Sequence, residues 1–195
     1  MRLLAVLAHP FDGSLGAALL GAVREGAGRS GHELRVIDLY AEGFDPALSA
    51  EELRDYNDPG KVPEDLRPHV EALAWAEGIV FVHPTWWGGL PAMAKGWLDR
   101  AWRPGHAFHA TNGVGLRPGL RQVRVLVEVT TTDASRWLDA VTNTAGRRTL
   151  FRSMRTCTGL RTRTLRLALH GIDGASDTRR QAFIDKVRAR IAKLR

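Results

Sequence analysis

A single cysteine, Cys157, stands among the 195 residues, so no intrachain disulfide can form and nothing in the chain asks for an oxidising compartment. Without a partner of its kind, Cys157 reads as a small buried apolar side chain. Long hydrophobic runs are missing too. The opening run "LLAVLA" (3–8) stops at His9-Pro10, far short of a membrane span and with no small-residue cleavage site. Low-complexity tracts, internal repeats, linkers and metal-ligand spacings are also absent. Acidic residues are scarce in one part only: residues 117–195 hold 6 Asp and Glu against 18 Lys and Arg, while residues 1–116 hold 15 against 10. The net charge is +7 and the pI near 10.4. Such asymmetry can mark a nucleic-acid surface. Here, however, the arginines are scattered through apparent helices and strands, and only "RRTLFRSMRTCTGLRTRTLR" (147–166) looks patch-like. We read a solvated or subunit-facing surface that attracts phosphate-bearing small molecules, no nucleic-acid partner, no membrane span and a cytoplasmic location.

What is present is a folded, alternating chain. Hydrophobic content of 44% and charged content of 25% suit a globular protein, and the length suits one α/β core, a single domain over 1–195. Short apolar runs at 3–8, 33–40, 78–83, 123–129 and 163–171 read as strands. Helices are expected from Ser14, an N-cap candidate, at 49–55, 63–77, from Pro91, at 134–154 and from Ser176–Asp177, with a long loop at 103–121. Pro68 sits awkwardly inside the third of these. Met93, Trp97 and Ala101, with Ala94, Leu98 and Trp102, form one apolar helix stripe. The order βαβαβαβαβα predicts an α/β three-layer sandwich, its five-stranded parallel sheet ordered 2-1-3-4-5 with helices on both faces. Ligands of that architecture sit beyond the carboxyl ends of strands 1, 3 and 4.

The unusual residues fall there. After strand 1, "AHPFDGSLGAAL" (8–19) runs into a helix start whose free N–H groups suit phosphate, with Ser14 adding a hydroxyl, Gly16 permitting close approach and His9 either donating or simply solvated. The loop is neither GxGxxG nor a Walker loop. After strand 3, "HPTWWGGLP" (83–91) puts two indoles beside two glycines; a tight turn with some core packing is the plain reading, a wall for a flat ligand the sharper one. After strand 4, "TTTDAS" (130–135) is small and polar. A flavin needs helix-end donors for its phosphate, a flat apolar wall for its ring, and backbone hydrogen bonds for the ring's polar edge.

The segments "VLAHPFDGSLG", "DLYAEGFDPALS", "FVHPTWWGGLPAMAKGWLDRAW", "GHAF" and "VTTTDA", taken in order, resemble the NAD(P)H:quinone oxidoreductase family of flavodoxin-like flavoproteins over nearly the whole chain. The resemblance implies a flavodoxin-like fold and a flavin, FMN slightly favoured over FAD, with NAD(P)H as co-substrate. His9, Ser14, Leu15 and Gly16 would hold the flavin phosphate and ribityl chain. Pro84, Thr85, Trp86, Trp87 and Gly88 would wrap the ring, and Thr130, Thr131 and Thr132 would meet its polar edge. Phe108 matches an aromatic near the nicotinamide and quinone site. The chain also departs from the family. Thr132-Asp133 stands where larger relatives have two glycines, and "RWLDAVTNT" (136–144) lacks the Tyr and His credited there with proton handling. Water, the flavin itself or His109 would then supply a proton.

The resemblance further implies ping-pong hydride transfer to a quinone-like acceptor and a homodimer with a site shared between subunits; "YNDPGKVPED" (56–65) would lie where an adenosine half could be held. A reading from another class is a regulatory ancillary subunit that binds a cation-efflux transporter, with 147–166 as docking face. A flavodoxin-like electron carrier fits poorly with a basic chain.

Overall fold

The computed structural model describes residues 1–111, 115–142 and 144–195. Its strands are β1 (Arg2–Leu7), β2 (Glu33–Asp38), β3 (Gly78–Pro84), β4 (Phe108–Ala110), β5 (Leu116–Pro118), β6 (Val125–Thr132) and β7 (Arg163–His170). Five of them form one parallel sheet in the order β2-β1-β3-β6-β7, the expected 2-1-3-4-5. Side chains alternate across it. Leu3, Ala5, Leu7, Val80, Val82, Val125, Val127 and Val129 face one way, packing with Leu19 and Val23 of α1 (Leu15–Arg29) and Phe183, Val187 and Ile191 of α8 (Asp177–Ile191). Leu4, Val6, Ile79, Phe81 and Leu126 face the other way. They pack with Leu73 of α3 (Arg67–Trp75), Trp97 and Ala101 of α4 (Ala92–Ala101) and Leu150, Met154 and Cys157 further along. Two apolar faces on one sheet give the three layers.

Local chemistry sets the element ends. The Ser14 hydroxyl accepts the Ala17 N–H at 3.2 Å and starts α1; Ser49 and Ser176 do the same for α2 (Ala50–Asp55) and α8. Pro68 lies in the first turn of α3, where its missing N–H costs no hydrogen bond, so the helix starts at Arg67 after a 3₁₀ turn at Glu64–Leu66 rather than at residue 63. Two expectations need larger correction. The stretch 103–121 is not all loop: β4 and β5 pair antiparallel, Phe108 opposite Pro118 and Ala110 opposite Leu116. Nor is 134–154 one helix. Residue 143 lies outside the described residues; α5 (Arg136–Thr142) and α6 (Thr144–Arg148) are helical on either side of it, and a π-helical turn at Thr149–Ser153 then leads into α7 (Arg155–Thr158).

The long connection after β2 is pinned by ionic contacts that the sequence pattern does not show. Arg100 donates to Glu52 Oε2 at 2.8 Å, to Asp65 at 2.9 Å and to the Asp45 carbonyl at 2.6 Å. Arg103, 1% exposed, donates to Glu52 Oε1 at 3.0 Å and reaches the carbonyls of Asp55 and Tyr56. Nearby, the buried Trp97 Nε1–H donates to His69 Nδ1 at 3.2 Å, which puts the imidazole proton on Nε2, 3.6 Å from Glu42.

Burial holds the His69 and His83 imidazoles below their ordinary value of 6.5. The unfolded chain therefore binds more protons below about pH 6.5, and stability is full above that value and lost as pH falls through it. Denaturation midpoints measured from pH 7.5 down to 6 should decline, and His69→Gln should flatten the decline. Glycine substitutions in α1 should split by space. A Cβ at Gly26 would lie 2.6 Å from the Arg188 carbonyl oxygen, so Gly26→Ala should destabilise by about 1–3 kcal/mol. Gly21 has open space around it, so Gly21→Ala should stabilise by about 0.8 kcal/mol in the same measurement.

Candidate functional site

The sheet brings the three loops to one edge. The Ala8 N–H donates to the Val82 carbonyl at 3.0 Å, and the Thr85 N–H to the Thr131 carbonyl at 2.7 Å. Pairings of His83 with Thr130 and of Pro84 with Thr131 carry β3 and β6 to the same height. The residues that follow β1, β3 and β6 thus form one rim at the point where strand order reverses.

At the first loop, Ser14 is committed to capping α1, and the Leu15 and Gly16 amides have, by position in the first turn, no intrahelical acceptor. The His9 imidazole lies over this turn, since a Cβ on Gly16 would meet its ring carbons Cδ2 and Cγ at 3.1 and 3.2 Å. The Phe11 N–H donates to His9 Nδ1 at 3.2 Å, which leaves Nε2 as the proton-bearing nitrogen of the neutral ring. Two free amides, the helix dipole and an imidazole N–H suit an anion.

The second loop is a tight turn, and while Leu90 packs against the core its two indoles do not. Trp86 and Gly89 exchange N–H···O bonds at 3.1 and 2.9 Å, and Trp87 and Gly88 between them have φ of 49° and 67°. These are the marks of a type I′ turn, whose first central position normally holds Asn, Asp or Gly. Trp86 is 60% exposed and Trp87 fully so. A bulky side chain in the left-handed region costs roughly 1–2 kcal/mol, and here no packing in the chain offsets it. Strain plus a bare indole is the physical signature of a surface kept for something else.

In the third loop most hydroxyls are already engaged. Thr130, fully buried, lies 2.9 Å from the Thr85 hydroxyl, and Thr132 accepts the Ala134 N–H at 3.2 Å. Thr131 is partly exposed, and its hydroxyl has no hydrogen-bond partner among the described residues. Phe108 and His109 lie apart from these loops, on β4. Phe108 packs against the core face that holds Trp97. His109 lines a cavity of about 320 Å³ with Val70, Leu73 and Ala74 of α3 and with Gln122, none of them a rim residue. Sequence reasoning passed over Phe11, 67% exposed in the first loop, and Trp137, 74% exposed at the start of α5. An aromatic in a polar stretch directly after a strand end was the available signal for both.

Trp87→Asn should place a residue suited to the left-handed region at no packing cost. We expect a gain of about 1 kcal/mol, or roughly 2–4 °C in Tm, measured by thermal denaturation.

A family model described as "Flavodoxin-like fold" matches residues 1–194. Among curated proteins, an uncharacterised NAD(P)H oxidoreductase of Haemophilus influenzae is 38% identical over 119 residues, covering 60% of this chain and 58% of that protein. NAD(P)H dehydrogenase [quinone] 1 of Cavia porcellus is 33% identical over 126 residues, 55% of this chain and 45% of that protein. The chain spans about half the length of the curated relatives it matches. Among solved structures, an NAD(P)H:quinone oxidoreductase from Methanothermobacter marburgensis superposes with a TM-score of 0.86 at 25% identity, covering 100% of this chain and 99% of that one. An FMN-dependent NADH-azoreductase from Bacillus anthracis, in complex with FMN, shares the fold with a TM-score of 0.78 at 15% identity, covering 99% of each chain. With the reversal-point rim and the strand order already in place, the full-length match makes the conclusion plain: this chain belongs to the flavodoxin-like fold family.

Proposed function

We propose that the chain is a flavin-dependent NAD(P)H oxidoreductase that reduces quinone-like acceptors in two-electron, ping-pong fashion. The observation that carries this is the type I′ turn at Trp87-Gly88, which holds two exposed indoles beside the donor-rich start of α1. Similarity to proteins named NAD(P)H oxidoreductase or NAD(P)H:quinone oxidoreductase supports the reading. A bound flavin would supply the redox chemistry, taking a hydride from NAD(P)H and passing two electrons on. The residues fit it: Leu15 and Gly16 amides with His9 Nε2–H for the phosphate, and the Pro84–Gly88 backbone and indoles for the ring. Thr131 is the third-loop side chain left for the polar edge, with Thr85, Thr130 and Thr132 holding the loop in shape. The chain's own part in the reaction is to align two flat partners and exclude water between them.

Phe108 and His109, on β4 and outside the three loops, fit a homodimer in which β4 and β5 complete the partner's site. Light scattering should give a dimer mass. A second reading, a regulatory subunit docked to a cation-efflux transporter, rests on the cleft of about 400 Å³ lined by Arg147, Arg148, Arg152 and Arg155. None of the four pairs with a carboxylate among the described residues.

The purified protein should be yellow, release a flavin identifiable by mass, and oxidise NADPH in the presence of menadione. A colourless protein that binds no added FMN or FAD would sink the proposal. Gly88→Val should lower flavin affinity at least tenfold while leaving the unfolding midpoint within a few degrees, because a β-branched residue resists the left-handed region at an exposed turn.

A further inference from the structure

Directly beneath the rim, on the sheet face that also carries Phe81 and Leu126, lies a chain of charged groups. His83 is 4% exposed and Glu128 1%. His83 Nε2 stands 3.6 Å from Glu128 Oε1; Glu128 Oε2 accepts from Arg166 Nε at 2.7 Å. Arg166 then forks onto both oxygens of Asp139, at 2.6 and 3.0 Å, and His170 Nε2 lies 3.0 Å from Asp139 Oδ2. Residues from β3, β6, β7 and α5 meet in this cluster. Arg179 of α8 bonds the His170 carbonyl and adds no charge to the inner end.

Two details make the inner end unusual. His83 Nδ1 lies 3.0 Å from the Pro84 carbonyl, which can only accept, so Nδ1 carries the proton. Nε2 is then a bare lone pair, buried and without a hydrogen-bond partner among the described residues, facing a carboxylate oxygen. The charges also fail to balance. One guanidinium sits among two carboxylates, so with both imidazoles neutral these five side chains sum to −1. A proton on His83 Nε2 or on His170 brings the sum to zero, and a buried cluster favours balance.

We propose that His83 is a positioning residue of the rim and that His83, Glu128, Arg166, Asp139 and His170 together hold one exchangeable proton, so that negative charge arriving at the rim is matched by proton uptake at His83 Nε2. The proton comes from solvent hydronium, whose O–H bond breaks to leave water as the N–H bond directed at Glu128 forms. Arg166 does not pass protons, so the two histidines act as competing sites coupled through charge rather than as a relay. The Pro84 carbonyl, anchored by His83 Nδ1–H, begins the loop that ends in the Trp87 turn, so the charge state of the cluster is felt at that loop. Burial holds the charged form of His83 down and Arg166 adds to that, with Glu128 and the Pro84 carbonyl opposing in part. Uptake therefore falls on the acid side of the ordinary imidazole value unless negative charge arrives at the rim. The inference rests on the rim being a flavin site for its functional meaning, but the cluster itself can be tested without flavin.

Histidine ¹⁵N spectra of the flavin-free protein between pH 5 and 8 should show His83 as the neutral Nδ1–H tautomer at the alkaline end, gaining its second proton on Nε2. Glu128→Gln should move that step to lower pH. His170→Gln, at the partly exposed end, should move it to higher pH and serves if Glu128→Gln does not fold. An Nε2–H tautomer, or a step that His170→Gln leaves unmoved, overturns the cluster. In the flavin-loaded protein the midpoint potential should fall with pH more steeply than in His83→Gln, by about 30 mV per pH unit, the value for one proton per two electrons. Equal slopes overturn the coupling. A chain that binds no flavin defeats the reading of the rim, while the histidine spectra still decide the cluster.

Discussion

The pairing of β1, β3 and β6 is the constraint on which the rest depends. Backbone amides in the middle of a buried sheet have no water to turn to, so the register is fixed by the need to pair every one. That register brings the ends of β1, β3 and β6 to the same edge, where backbone hydrogen bonds tie Ala8 to Val82 and Thr85 to Thr131. Slipping β3 by one residue would exchange Phe81 and His83 with Val80 and Val82. It would bury the cluster's histidine among aliphatic side chains of α1 and α8, and the rim would lose its order. Site and core are therefore two consequences of one set of pairings.

The two sheet faces divide the work differently. The face toward α1 and α8 is aliphatic throughout the sheet's middle, and α1 packs so closely on α8 that Gly26 admits no side chain. The opposite face mixes an aromatic core around Trp97 with two ionic groupings, one under the rim and one at the base of the long connection after β2. Replacing such groupings by well-packed apolar residues is often neutral or stabilising, so their presence is better explained by positioning than by strength. Arg100 and Arg103 hold a stretch with little regular structure; the cluster beneath the rim holds the Pro84 carbonyl.

Much of this was legible in the sequence. Strand positions, their order, the serine caps and the three convergent loops follow from periodicity and from where a doubly wound sheet must present its ligand. The β4–β5 hairpin was not, because three-residue strands inside a Gly- and Pro-rich stretch carry no measurable alternation. The π-helical turn at Thr149–Ser153 has no proline to announce it. The ionic groupings join residues 27 to 51 positions apart, and no local pattern reports a partner at that separation. For the threonines, composition marked the loop but did not show that Thr130 and Thr132 spend their hydroxyls on the loop itself.

The distribution of the six tryptophans has a further use. Trp97 and Trp102 are sealed in the core, whereas Trp86, Trp87 and Trp137 stand in water. Indole emission moves to longer wavelength with the polarity around the ring, so the native protein emits as two populations. A molecule that settles against Trp86 and Trp87 changes the surroundings of indoles in the red one. The chain thus carries an intrinsic optical gauge of its own site, readable without label or turnover.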